Sequence, residues 1–324
     1  MMLDVIFVGN AITDVIGSCD ENFLIENNIQ KGGMNLVNDK RANYLFSKLD
    51  NKIIEAGGSA ANSSFGLANL GGKSAFIGQL YDDDLGNKFI RELNKNNIKF
   101  LGKKLNNGPI SGKSIICVTP DSIRSMNTYL GTSLLLDDNY LNFNEKSKLV
   151  YLEGYLFDAP KSENIFKNAT KSALKNNSKI ALSLSDAWCV ERHFNKIKKF
   201  VEENVSILFC NEDELKAFTK TNIDDALNYI TNYVDEIAVT LGETGAIIAS
   251  KKTKVNISPY KTSNIVDTTG AGDLFASGYL YGRTNSYSIK DSGNLGSYCA
   301  GQIISHYGTK PKTNLRYFLK TINN

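Results

Sequence analysis

Residues 147–241 alternate between two textures. Short apolar runs, 147-SKLVYLEGYLF-157, 180-IALSLSD-186, 207-ILFC-210 and 235-DEIAVTL-241, are separated by polar stretches with helical spacing, 162-SENIFKNATKSALKNNSK-179, 191-ERHFNKIKKFVEENVS-206 and 211-NEDELKAFTK-220. Runs this short, apolar throughout and rich in Val, Ile and Leu, read as strands buried on both faces. Strands joined through helices imply right-handed crossovers, so the stretch predicts an α/β fold with a mainly parallel sheet flanked by helices on both faces.

Working outward, 57-GGSAANSSFGLANLGG-72 predicts a helix, 73-KSAFIGQL-80 a strand and 84-DLGNKFIRELNKN-96 another helix, all belonging to the same sheet. The start, MMLDVIFVGNAITD, reads as a first buried strand closed by Gly9-Asn10. It lacks a basic leader region, which gives a cytoplasmic expectation. Two segments interrupt the alternation, at about 14–56 and 108–133. In the second, 111-SGKSIICVTPDSIRSMNTYLGTS-133 reads as two strands joined by a Pro-Asp-Ser turn. We expect one α/β domain over 1–324, with these two insertions forming a small β-sheet lid over the carboxyl edge of the main sheet.

Composition removes several classes of function. The 324 residues carry 37 Lys and Arg against 34 Asp and Glu, a formal charge of +3 with no basic block, so neither nucleic acid nor an anionic membrane is an expected partner. The five cysteines are scattered without a CxxC pair, and the two histidines, His193 and His306, are remote from them, which argues against a zinc site or a disulfide framework. No apolar stretch approaches the roughly 20 residues that span a bilayer.

Chemistry concentrates in 266-VDTTGAGDLFASGYLYG-282. Gly270-Ala271-Gly272 can be a tight turn, with Asp273 merely favouring the positive end of the following helix. Alternatively, the small residues let an anion approach exposed backbone N–H groups at the helix start, with Asp273 beside it as a base for a hydroxyl attacking a phosphoryl group. A rival phosphate loop, 66-GLANLGGKS-74, fails on spacing, because the residue five before Gly72 is Leu67. It fails on context too, since it ends a helix and leads into a strand.

At this point 266-VDTTGAGDLFASGYLYG-282 resembles the signature of the ribokinase-type (PfkB) carbohydrate kinases, and 57-GGSAANSSFGLANLGGKSAFIGQLYDDDLG-86 resembles their N-terminal signature. Between them, 210-CNEDE-214 is similar to the family's N-x-x-E motif and 239-VTLGETGA-246 to its nucleotide segment. The four occur in the family's order and span nearly the whole chain. The stretches GNAITDVI, KGGMNLVN, RSMNTYLGTS, LEGYLFDAP and LSLSDAWCVERH are most similar to the adenosine kinase-like bacterial members.

The resemblance implies an ATP-dependent, Mg²⁺-assisted kinase acting on a primary hydroxyl of a ribose-containing acceptor, adenosine first, with a kinase of ribose, fructose or a related furanose as the alternative and a non-catalytic small-molecule-binding protein on the same fold as the alternative from another class. It assigns Asp273 as base, the amides of Gly270, Ala271 and Gly272 as anion hole, and Arg124 as a lid residue approaching the transferred phosphate. Asp14 and Asn62 would hold acceptor hydroxyls, as carboxylate and amide suit a vicinal diol. Gly57 and Gly58 would bring backbone close to the sugar, Asn35 would reach in from the lid, and Met34, Tyr155 and Leu156 would form an apolar slot for a base. Asn211 and Glu214 would position phosphate and Mg²⁺, Glu214 through water. Thr240, Gly242 and Gly245 would lie along ATP, and Asp267 and Thr269 would hold a monovalent cation such as K⁺. Ser297 stands where many members have an asparagine beside the nucleotide base, so that contact is expected to be lost or bridged by water. A monomer or homodimer is expected.

Overall fold

The structure, a computed structural model, describes residues 2–262 and 264–322. Among these, nine strands form the larger sheet, in the order Lys254–Ile257, Ala246–Ala249, Glu236–Thr240, Ile207–Asn211, Lys179–Ser183, Ser147–Glu153, Leu3–Val8, Ser74–Ile77, Lys99–Phe100. The sheet is parallel from Glu236–Thr240 onward, and the first two strands in this order run antiparallel at its edge. The four apolar runs of 147–241 are consecutive neighbours at its centre.

Alternation along the strands supplies two cores. On Leu3–Val8, Ile6 and Val8 face one layer, with Ile165, Ile197 and Leu215 from helices Ser162–Lys175, Phe194–Asn204 and Glu212–Thr219. Val5 and Phe7 face the other, with Phe65, Phe89 and Phe275 from helices Ser59–Asn69, Asp84–Lys95 and Ala271–Thr284. Burial on both faces explains why these strands are apolar without interruption.

One helix differs from its expected form. In place of one helix over 191–206 there are two, Ala187–Arg192, which begins before that stretch, and Phe194–Asn204, with the break at His193, φ −118°. Asp186 starts the first piece early, its carboxylate accepting from the N–H groups of Trp188 and Cys189 at 2.9 and 3.2 Å.

The smaller sheet has the order Met34–Leu36, Arg124–Tyr129, Gly112–Val118, Ile12–Ser18, Ile53–Gly57. Its strands come from the two segments that interrupt the sequence alternation. The expected strand pair forms an antiparallel hairpin, with Arg124 opposite Val118. The chain passes from one sheet to the other through Gly9–Ala11, directly after the main strand Leu3–Val8. This places Asp14 of the small sheet beside the carboxyl edge of the large one, where open α/β sheets bind ligands.

Candidate active site

The chain enters helix Ala271–Thr284 through Gly270, whose φ of +78° is in the left-handed region that glycine adopts without a Cβ penalty. A Cβ built on Gly272 would meet nothing within 4 Å, so the backbone at the helix start faces open space. Ala271 N–H donates to Thr268 O at 3.3 Å, and the other first-turn N–H groups, which have no acceptor within a helix, are the kind of donors that bind anions. Asp273, one residue on, is half-buried. Its Oδ1 accepts from Ser59 Oγ at 2.7 Å and its Oδ2 from Asn62 Nδ2 at 3.0 Å. Burial raises the carboxyl above its ordinary range, while these two hydrogen bonds and the Arg124 charge pull it back.

Arg124 comes from the smaller sheet, and its Nη1 donates to Thr268 O at 2.7 Å, which fixes the guanidinium against the turn before the helix. Asp14 is buried, and its carboxyl is pushed up to about 8 by burial and by the charges of Glu55 and Asp273, with Lys310 opposing. Gly57 is required beside it, because a Cβ there would lie 1.9 Å from Asp14 Oδ2. Gly58, at φ +88°, would bring a Cβ within 2.4 Å of Asn10 O. Asn62 is also buried, and its Oδ1 has no hydrogen-bond partner among the described residues. An orphaned acceptor beside a protonatable carboxyl is what a ligand hydroxyl pair would satisfy.

These groups converge on one half-open cleft between the sheets, of about 120 Å³. Asp14, Gly58, Asn62, Arg124, Thr269, Gly270 and Asp273 line it, as do Met34 and Tyr155. Glu153 joins them without having been expected. Buried at the end of its strand, it accepts from the N–H groups of Asn10 and Ala60, each at 2.8 Å, and burial pushes it to about 7. A carboxylate closing an otherwise apolar buried strand was the available signal. Ser59, the partner of Asp273, carried none beyond its place in a helix start.

Two expected acceptor contacts are corrected. Leu156 is fully buried in the main core, because the short 3₁₀ turn Gly154–Asp158 sends it inward while Tyr155 faces the cleft. Asn35 does not line the cleft. It lines an adjoining groove with Trp188 and Arg192, and Met34 forms the wall common to both. Trp188, the chain's single tryptophan, is 38 % exposed and lies so close to Gly33 that a Cβ there would come within 2.2 Å of the ring.

Farther along the carboxyl edge, Asn211 and Glu214 form a capping box. Asn211 Oδ1 accepts from Glu214 N at 2.8 Å, and Glu214 accepts from Asn211 N and Nδ2 at 3.1 and 2.8 Å. Burial pushes Glu214 to about 8. Each of its oxygens accepts one bond and retains a lone pair, a fit for a water-bridged Mg²⁺ held mainly by phosphates. Among the described residues no group of three or more His, Cys, Asp or Glu could hold a metal directly.

Thr240 ends its strand, and Gly242 and Gly245 turn the chain at φ +57° and +98°. A Cβ at Gly245 would lie 2.1 Å from Ile257 O, whereas Gly242 faces open space. Asp267 is buried, accepting from Thr269 N and Oγ1 at 2.8 and 2.5 Å and from Gly308 N at 3.2 Å. Ser297 is neither free nor short of partners. Its hydroxyl accepts from Tyr260 N at 2.8 Å and donates to Ser258 O at 2.9 Å, pinning the loop at 258–260.

The profile of the pfkB family carbohydrate kinases matches residues 51–314. The chain belongs to that family. This pfkB kinase is similar, at 36 % identity and TM-score 0.93, to the adenosine kinase from Sinorhizobium meliloti, covering 99 % of both chains. It is equally similar, at 36 % and 0.94, to a probable sugar kinase from Rhizobium etli, covering 100 % of this chain and 99 % of the other. The adenosine kinase of Saccharomyces cerevisiae is 23 % identical over 98 % of this chain and 99 % of its own. The pfkB kinase is thus an ATP-dependent phosphotransferase that takes a nucleoside or sugar as acceptor. No helix among its described residues is long and apolar enough to cross a membrane.

Proposed function

We propose that this pfkB kinase transfers the γ-phosphoryl group of ATP to the 5′-hydroxyl of adenosine, yielding AMP and ADP. The observation that carries the nucleoside reading is the Trp188 groove that adjoins the cleft, with Met34 lining both. A ribose held at Asp14 and Asn62 would leave its base directed across Met34 toward an aromatic face and the amide of Asn35. The 36 % identity to the Sinorhizobium meliloti enzyme supports the same acceptor.

In this reading Asp273 takes the proton of the attacking hydroxyl, held toward it by Ser59 and Asn62. The amides of Gly270, Ala271 and Gly272, with Arg124, receive the charge that spreads over the transferred group. Glu214 and Asn211 would hold Mg²⁺ through water, and the ion would supply charge neutralisation at the phosphates. Thr240, Gly242 and Gly245 border the nucleotide, while Ser297 shapes the wall beside its base through the 258–260 loop instead of contacting it. Asp267 has no Lys or Arg pairing with it among the described residues, and with Thr269 it would accept K⁺ as counter-charge.

The test is ADP release on adenosine, inosine, ribose and fructose at matched concentrations. Burying a purine face removes on the order of 100 Å² of apolar surface, worth roughly 2–3 kcal/mol. Adenosine should therefore exceed ribose in kcat/KM by at least ~30-fold. Ribose or fructose matching adenosine would replace this reading with a sugar kinase, the description given to the Rhizobium etli relative.

A further inference from the structure

Beyond helix Ile289–Ile303 the chain returns to the smaller sheet at Gly308, Thr309 and Lys310. Strands Ile12–Ser18 and Ile53–Gly57 of that sheet run antiparallel, with Asp14 directly opposite Glu55. Opposite residues of an antiparallel pair present their side chains on one face, so the register sets two carboxyls side by side, an unfavourable arrangement for like charges. Thr309, fully buried, stands between them. Its N–H donates to Glu55 Oε1 at 2.6 Å, and its Oγ1 lies 3.2 Å from the same oxygen and 3.5 Å from Asp14 Oδ2.

The same short segment reaches the start of the helix that carries Asp273. Gly308 N donates to Asp267 Oδ2 at 3.2 Å, while the other oxygen of Asp267 accepts from Thr269 N at 2.8 Å. A Cβ built on Gly270 would lie 3.5 Å from Thr309 Cβ, an ordinary packing distance. Lys310 pairs with Glu92, and Glu92 accepts from Ala56 N at 3.0 Å, so the residues that follow Thr309 and Glu55 are tied together as well. Thr309 thus sits against Asp14 on the smaller sheet and against Gly270 on the larger body of the fold.

We propose that Thr309, held by Glu55, is a positioning residue for the phosphoryl transfer, fixing the Asp14 carboxyl relative to Gly270 and so aligning the acceptor hydroxyls with the group they receive. This rests on the reading of Asp14 as the holder of those hydroxyls, and it is the same for a nucleoside and for a sugar. A hydroxyl carries one proton, so Thr309 Oγ1 can donate to one carboxyl and accept from the other. Burial first, and the Glu55 charge next, push Asp14 up to about 8, which leaves it a proton to give to Oγ1 while Oγ1 gives its own to Glu55. The Asp14–Thr309–Glu55 chain then has a donor for every acceptor. A carboxyl whose direction is set before the acceptor arrives has less freedom to lose on binding.

The test is calorimetric titration and steady-state kinetics of the full-length protein, with whichever of adenosine, ribose and fructose the wild type phosphorylates fastest. Thr309→Val is isosteric and removes the hydroxyl. It should weaken acceptor binding by roughly 3- to 10-fold, the worth of one hydrogen bond, with the KM for ATP unchanged. Thr309→Ser keeps the hydroxyl and should bind the acceptor as the wild type does. Adding Thr309→Val to Asp14→Ala should cost no further acceptor affinity, because the hydroxyl acts through a carboxyl that is gone. Should valine prevent folding, Glu55→Ala, at a half-buried place on an edge strand, releases Thr309 and carries the same two expectations. Full acceptor affinity without the hydroxyl, a loss shared equally by ATP, a serine variant that fails to restore binding, or a loss that adds to that of Asp14→Ala would overturn the positioning role and leave Asp14 as the holder of the acceptor. Unchanged affinity in Asp14→Ala alone would instead remove that underlying reading, and the proposal with it.

Discussion

At the scale of single residues the cleft turns on carboxylates whose neighbours set their proton affinity. Asp273 is held by Ser59 and Asn62, so its side chain has a fixed direction before any substrate arrives. Asp273→Asn keeps the shape and removes the proposed base. It should lower kcat by at least ~10²-fold with ATP and acceptor affinities little changed. Near-normal turnover in the folded variant would remove the assignment. Asp14→Ala should weaken acceptor binding by roughly 1–3 kcal/mol, since it leaves a hydroxyl unpaired, and leave ATP binding alone. Calorimetry showing unchanged acceptor affinity would refute that role. Asp14, Asn62 and Asp273, which the family resemblance singled out by their motifs, all line the one cleft. The places of Leu156 and Trp188 were not legible in the sequence, for a tertiary reason. A 3₁₀ turn decides which of Tyr155 and Leu156 faces the cleft, and Trp188 reaches its groove only because Asp186 starts a helix earlier than the periodicity indicates.

At the scale of elements, two helices bring the site together. Helix Ser59–Asn69 carries Ser59 and Asn62, and helix Ala271–Thr284 carries Asp273. They touch at Gly66, where a Cβ would lie 2.4 Å from Ser277 Oγ and 2.5 Å from Leu274 Cδ1. Ser277 Oγ lies 2.8 Å from Ser63 O, and Ser63 Oγ donates to Asp273 O at 3.1 Å, so the contact also fixes the backbone of Asp273. Gly66 thus explains the glycine of the false phosphate loop 66–74 as a packing position. Gly66→Ala should push the helices apart and destabilise the protein by about 1–3 kcal/mol, despite alanine's better helix propensity. kcat should fall with it, as Asp273 moves from Asn62. Urea denaturation showing a stabilised variant with full activity would mean the helices can part freely. The parallel order of the main strands was readable from their unbroken apolar runs. The register of the smaller sheet was not, because strand Met34–Leu36 pairs with Arg124–Tyr129 across most of a hundred intervening positions.

At the scale of the whole molecule, the fold buries several carboxyls along one edge of its main sheet, and that arrangement carries a cost that depends on pH. Asp14 and Glu214 are pushed to about 8 and Glu153 to about 7, in each case chiefly by burial. In the unfolded chain the same groups titrate near 4. Between about pH 4 and pH 8 the folded state therefore binds more protons than the unfolded state, and stability falls as pH rises through that window. Lys310 works in the next window. Burial lowers it to about 8, so above that value the unfolded chain holds the extra proton, and further alkalinity favours the fold until the ordinary lysine range is reached. The ligand-free protein should accordingly melt at a lower temperature at about pH 8 than at about pH 5.5, measured by calorimetry at constant ionic strength. Asp14→Asn and Glu214→Gln should each flatten that slope, because an amide in the same place has no proton to lose. A melting temperature that climbs steadily over the interval, or variants that keep the wild-type slope, would show that these carboxyls ionise in the folded protein at no cost. The carboxyl edge of the main sheet would then owe its stability to charge pairing instead of burial.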